Sequence, residues 1–154
     1  MKPVLVGLAA VACAAASAGE RRVIEHDLGG FSYRRFQKVE DIEFRIEGNP
    51  GVGWTAVYQR TDTLGQGSIV PAEAIAIAFV TEYTRGGVRV DSGWWSGYQV
   101  KPDKGVYVLR GQRDIWAVWP SGRFLVKVGK RTGADLPDGV LAAYLQVYPP
   151  DGPR

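Results

Sequence analysis

An α+β domain is the architecture this 154-residue sequence predicts: an antiparallel sheet of about five to seven strands with one or two helices packed on one face. Three observations carry that reading. Short segments alternate apolar and polar side chains with a period of two, the mark of half-buried strands. Gly and Pro clusters separate these segments at turn spacing. A C-terminal stretch repeats instead at helical spacing, and its apolar stripe needs a sheet to cover it. A closed all-β barrel, with residues 71–83 as one more strand, is the alternative.

Residues 1–18 stand apart from that domain. Met1-Lys2 supplies one positive charge, Pro3 to Ala16 is apolar and uncharged, and Ala16-Ser17-Ala18 is an A-x-A cleavage site before Gly19-Glu20-Arg21-Arg22. This is the pattern of a cleavable secretory signal, which sends the mature chain to the periplasm or outside the cell. No later segment reaches the roughly 18 apolar residues of a spanning helix, so no transmembrane span is expected after signal removal. The single cysteine, Cys13, lies inside the signal. Cleavage after Ala18 leaves no thiol for a disulfide, a thiolate metal site or a Cys nucleophile. Val11-Ala12-Cys13 also ends like a lipoprotein signal, so lipidation of Cys13 is the alternative processing. The predicted organisation is a signal over 1–18, a partly extended N-terminal segment over 19–40, one globular domain over 41–148 and a tail over 149–154.

Along the chain, Asp41 to Glu47 alternates, with Ile42, Phe44 and Ile46 on one side and Asp41, Glu43, Arg45 and Glu47 on the other. Gly48-Asn49-Pro50-Gly51 turns the chain, and Trp54, Ala56 and Tyr58 form the apolar side of the next strand, making an antiparallel hairpin. Thr61 to Ser68 is polar and glycine-rich, hence a loop. Pro71 to Thr81 is expected to be helical: Pro71 suits a first helical position and four alanines follow, although the Ile, Phe, Val and Thr near its end favour a strand. Val88 to Val90 is a short strand, and Asp91 to Gly97 is a loop or bulged strand. Gly105 to Arg110, Asp114 to Trp119 and Arg123 to Val128 form an up-down meander joined by Gly111-Gln112-Arg113 and Pro120-Ser121-Gly122. Finally, Asp135-Leu136-Pro137-Asp138 opens a helix that Asp135 caps and whose positive end Asp138 suits. Val140, Leu141, Tyr144, Leu145 and Tyr148 form its apolar stripe, and Pro149-Pro150 ends it.

The segment Pro71-Ala72-Glu73-Ala74-Ile75-Ala76-Ile77-Ala78-Phe79-Val80-Thr81-Glu82 resembles the S-P-x-x-A-F-G-x-Y-S-x-E motif of an uncharacterised family of exported bacterial proteins, a domain of unknown function. A G-Y pair, a strand, an R-G or K-G turn and an aromatic strand follow in that family. Here Gly97-Tyr98, Val106 to Leu109, Arg110-Gly111 and Ile115-Trp116-Ala117-Val118 stand in the same order. Val70 takes the place of the motif's Ser, and Ala76 that of its Gly. The likeness spans residues 71–119, roughly a third of the chain. It implies an exported α+β domain of no known activity, and it brings no catalytic residue and no cofactor.

The residues themselves lead to a similar position. His26 is the only histidine, in Glu25-His26-Asp27, and a metal site needs further His or Cys ligands. Gly93-Trp94-Trp95-Ser96-Gly97 misplaces its serine for G-x-S-x-G. Neither Gly48 to Gly53 nor Gly65-Gln66-Gly67 has the Lys-Ser/Thr ending of a phosphate loop. Glu40, Asp41, Glu43 and Glu47 crowd one segment, which keeps a hydrolase with paired carboxylates as an alternative. Without Lys2 the 19 basic residues become 18 against 16 acidic ones, so the mature chain is nearly neutral. Yet Lys101 to Arg131 carries Lys101, Lys104, Arg110, Arg113, Arg123, Lys127, Lys130 and Arg131 against only Asp103 and Asp114. The five tryptophans are Trp54, Trp94, Trp95, Trp116 and Trp119. Trp116 and Trp119 fall on opposite sides of a strand, one expected in the core and the other nearer the surface. An exposed Trp beside Tyr98 suits a sugar ring or a partner protein. Trp94, Trp95, Tyr98, Arg110 and Arg113 are therefore the candidate binding residues of a non-enzymatic exported protein. A protein or polysaccharide of the cell envelope is the expected partner class, with no cofactor, no metal and no nucleic acid. A structural envelope protein anchored through Cys13 is the remaining alternative.

Overall fold

The computed structural model describes residues 22–40, 52–60, 75–83 and 97–151, with the backbone alone at 37–40. Seven strands form one antiparallel sheet: β1 (Phe31–Glu40), β2 (Val52–Arg60), β3 (Ile75–Glu82), β4 (Gln99–Asp103), β5 (Val106–Arg110), β6 (Ile115–Ser121) and β7 (Phe124–Lys130). Their order is β1-β2-β3-β7-β6-β5-β4. One three-stranded meander and one four-stranded meander thus meet where β3 pairs with β7. The sheet is open, with β1 and β4 at its edges, so the barrel alternative falls. A single helix among the described residues, α1 (Asp138–Val147), packs on one face. This is the α+β arrangement that the sequence predicts.

Register decides which side chains that face receives. Ala56 pairs with Ala78, Ala78 with Val128, and Val128 with Ala117. All four are fully buried under α1. A row of such small residues leaves room for larger ones on either side of it and above it. Tyr58, Trp54 and Trp119 rise from the sheet, while Val140 and Tyr144 descend from the helix. The helix stripe is the predicted one: Val140 and Tyr144 are buried, and Leu141, Leu145 and Tyr148 pack beside them.

This packing also explains the one element whose type is reversed. Residues 75–82 are a strand, not the end of a helix; residues 71–74 lie outside the described set. Ala76, Ala78 and Val80 face α1, while Ile77 belongs to the opposite face with Ile75 and Phe79 packed beside it. The alanines that favour helix by intrinsic propensity are there because the helix covering the sheet needs short side chains beneath it. Tertiary contacts override propensity.

β1 supplies a second difference. Phe31, Tyr33 and Phe36 pair with Arg60, Tyr58 and Ala56, and the register shifts between Tyr33 and Arg35. That bulge changes the spacing of the aromatics from two to three, so they share a face without alternating in sequence. β2 accordingly pairs with β1 and β3; the strand expected at 41–47 lies outside the described residues, as do Val88 to Val90. β4, with only an intermediate Val100 between exposed neighbours, closes the other edge.

The segment before β1 is held by tyrosine hydroxyls. Tyr58 Oη donates to the Ile24 carbonyl at 2.6 Å and meets Tyr144 Oη at 2.5 Å. Since the Tyr58 proton is committed to Ile24, Tyr144 donates to Tyr58, and Tyr144 in turn accepts the Ile24 N–H at 3.0 Å. Strand, helix and N-terminal segment close one ring of hydrogen bonds. Tyr148 donates to the Arg22 carbonyl at 2.6 Å, and Trp119 Nε1 donates to the Tyr148 carbonyl at 2.7 Å. Burial pushes the Tyr58, Tyr144 and Tyr148 hydroxyls above the usual phenol range, so all three stay neutral donors at ordinary pH. Arg22 forms an ion pair with Glu82 at 3.2 Å, which Arg123 shares at 3.1 Å, and its guanidinium lies over Trp54 and Phe124.

The sheet's other face has its own apolar cluster, around Ile77, Leu109, Trp116, Val118 and Leu125. Trp116 and Trp119 do fall on opposite sides of β6. Both are core, however, at 4% and 0% exposure, so neither is the surface aromatic expected of the pair. The Trp116 ring lies against Gly129 on β7. A Cβ there would sit 2.1 Å from the Ile115 carbonyl oxygen and 2.6 Å from Trp116 Cε3. Gly129→Ala is therefore expected to lower stability by about 1–3 kcal/mol in chemical denaturation through overpacking. An unchanged midpoint would show that the Trp116 ring does not lie there.

Candidate functional site

Two clefts meet on the connection between β7 and α1. Arg110 to Ile115 and Thr132 to Ala134 line the first, of about 410 Å³. The second, of about 790 Å³, opens on the other side of Gly133 and Ala134, between the start of β1 and the start of α1. Backbone and side-chain hydrogen bonds fix the shared wall. Gly133 N–H donates to the Arg113 carbonyl at 3.0 Å, and Arg110 Nη1 donates to the Ala134 carbonyl at 2.8 Å. The connection is thereby tied to the β5–β6 turn.

Of the sequence-predicted binding residues, Arg110 and Arg113 line the first cleft, and Tyr98 is joined to it only through its hydrogen bond to Asp114. Trp94 and Trp95 lie outside the described residues, as does Cys13. Arg113 is exposed at the β5–β6 turn and lines the first cleft. Arg110 serves the wall. The Tyr98 hydroxyl is engaged: it donates to Asp114 Oδ2 at 2.5 Å, and Trp116 Nε1 donates to the same oxygen at 2.8 Å. Lys127 Nζ lies 4.2 Å from the centre of the Trp116 ring. Partial burial pushes the Asp114 carboxyl up, but the Tyr98 and Trp116 donors, its own N–H and Lys127 outweigh that. The carboxyl ends below its ordinary range, as charge-stabilising hydrogen bonds require.

The basic run from Lys101 to Arg131 does not form one face. Arg123 turns to Glu82, Lys127 to the aromatic rings on the face away from α1, and Lys130, buried, to the second cleft. Strand alternation separates Lys127 from Lys130. Sequence reasoning counted Lys130 in the charge run but did not single it out. The signal was its place at the end of an apolar alternation, Phe124-Val126-Val128-Lys130, which puts its side chain in line with the core. His26 is exposed, and its ring Nδ1 donates to the Asp27 carbonyl at 3.0 Å. The described residues hold no cluster of three His, Cys, Asp or Glu side chains placed to share a metal ion. No helix among them is long and apolar enough to cross a membrane. The Asp135 cap does not form either: Pro137 occupies the N-cap position, and no side chain caps α1, although Asp138 does lie in its first turn.

The Tyr98–Asp114 pair has a pH signature. A depressed carboxyl stabilises the fold above its unfolded pKa and loses that contribution as pH falls through its folded one. In Tyr98→Phe the Asp114 carboxyl is expected to titrate closer to its ordinary range, followed by carbon-13 NMR, and the stability lost on acidification is expected to be smaller. An unmoved Asp114 titration would contradict the assignment of Tyr98 as a charge-stabilising donor. Comparison of the chain with protein-family models, with curated proteins and with solved structures finds no match.

Proposed function

We propose that this chain is a non-enzymatic exported binding protein, which recognises a component of the cell envelope through the surface beside the β7–α1 connection. The observation that carries this reading is the exposed Arg113 on a cleft where Arg110 and Asp114 are already engaged in holding the walls. Asp114, the carboxylate in that cleft, supports recognition over acid catalysis. Its Oδ2 takes two donors, and its pKa is lowered, whereas a general acid needs a raised one. Trp94 and Trp95, which the sequence adds to this surface, lie outside the described residues. Export rests on the signal pattern of residues 1–18, and mass spectrometry of the mature N-terminus separates a free Gly19 from an acylated Cys13.

The test is an array of cell-wall polysaccharides and envelope proteins probed with the mature chain. One ligand is expected to be retained, with affinity reduced roughly tenfold in Arg113→Ala, the loss of about one charge-assisted hydrogen bond. The Arg113 side chain is exposed, so the variant should fold as the parent does. Binding that is equal in the two proteins would refute this surface.

A further inference from the structure

The second cleft is lined by a buried lysine. Lys130 ends β7 and is 6% exposed. Elsewhere Arg22 and Arg123 share Glu82, Arg110 donates to Ala134, and Lys127 rests on aromatic rings. No carboxylate, carbonyl or ring meets Lys130 among the described residues. Its aliphatic stem is buried, and its ammonium reaches solvent at the cleft it lines.

The opposite wall is the start of α1, a helix of ten residues. Pro137 stands at its N-cap and contributes only its carbonyl, which accepts the Leu141 N–H at 2.9 Å. The first-turn N–H groups have no side-chain cap, and they carry the positive end of the helix dipole. Gly139 lets this wall pack closely against β1's approach. A Cβ on it would lie 2.8 Å from Gly29 Cα, so the first turn presses backbone to backbone against the turn that leads into β1. Arg60 lies on the rim, over the Phe31 ring at 5.2 Å. Asp135 and Asp138, both exposed, match Arg60 and Lys130 in number around the cleft. A polyanion gains nothing from such a balanced rim. A single compact anion that reaches past it to Lys130 and the helix start gains both.

We propose that this cleft binds a compact oxyanion, the phosphate or carboxylate group of a small molecule or of a larger ligand's end. Lys130 Nζ is its counter-ion, and the first-turn N–H groups of α1 are its donors. The proposal rests on the binding reading above, and it names the chemical class that the β7–α1 connection takes. The test is a nitrogen-15 NMR titration of the mature chain with inorganic phosphate and, separately, with acetate, at constant ionic strength against sodium chloride. Saturable shifts of the Gly139 and Val140 amides are expected with at least one of the two, and the stronger response identifies the group. Lys130→Met should weaken that response by roughly tenfold or more. Replacing a buried unpaired cation by an apolar side chain of similar length should leave the fold intact, and amide dispersion checks this. Arg113→Ala should titrate like the parent. No saturable shift with either anion, or an equal response in Lys130→Met, overturns the proposal. If array binding is still lost in Arg113→Ala, such a failure falls on this site alone. Saturation here with array binding unchanged in Arg113→Ala would leave this site standing and remove the first cleft.

Discussion

Two tyrosine hydroxyls meet beneath the helix, and through them a strand, a helix and an incoming segment are bound to one another. Tyr58 comes from β2, Tyr144 from α1, and both turn to the backbone of Ile24. The ring is self-consistent: each proton has an acceptor, and the Ile24 N–H and C=O are both satisfied away from water. Buried hydroxyls left without partners cost more than partnered ones contribute, so the three elements move into place together. The Tyr144 ring stands edge-on to Tyr58 at 6.3 Å and lies stacked with Tyr148 at 6.5 Å, one turn further along the helix. Tyr148 extends the same logic to Arg22.

The clefts are a consequence of where that arrangement puts the helix. With α1 held over the row of Ala56, Ala78, Val128 and Ala117, its N-terminus comes down beside the end of β7 and the start of β1. The connection from Lys130 to Asp138 runs past the strand ends at the β5–β6 turn, tied down by Arg113 and Arg110. An uncapped helix start and a strand-end lysine are thus brought together by topology, from residues eight apart in sequence.

Much of this was legible beforehand, for a physical reason in each case. The meander of β5, β6 and β7 shows because its faces alternate without interruption and its turns carry Gly or Pro. The stripe of α1 shows because Val140, Tyr144 and Tyr148 repeat every four residues. β3 did not show, since Ala76 and Ala78 are chosen for their shortness under a helix, and that choice imitates helix propensity. β1 did not show, since one bulge breaks the spacing of Phe31, Tyr33 and Phe36. At the site, Tyr98, Arg110 and Arg113 were visible as an aromatic and charges near a turn. Lys130 was hidden inside a charge count. Its meaning depends on a helix start that the sequence locates near Asp138 but that only the fold brings beside β7, and Asp135 offered a cap that Pro137 displaces.

The most direct test of the hydroxyl ring is a double-mutant cycle with Tyr58→Phe and Tyr144→Phe, read by denaturant unfolding of the mature chain. Each single variant leaves one backbone group of Ile24 without its partner, and the shared hydrogen bond is lost in either. The predicted result is a coupling of about 1 kcal/mol or more between the two sites, because the second substitution cannot lose that bond again. Losses that add to within about 0.3 kcal/mol would mean that the two hydroxyls act independently, and that the helix is held over the sheet by something else.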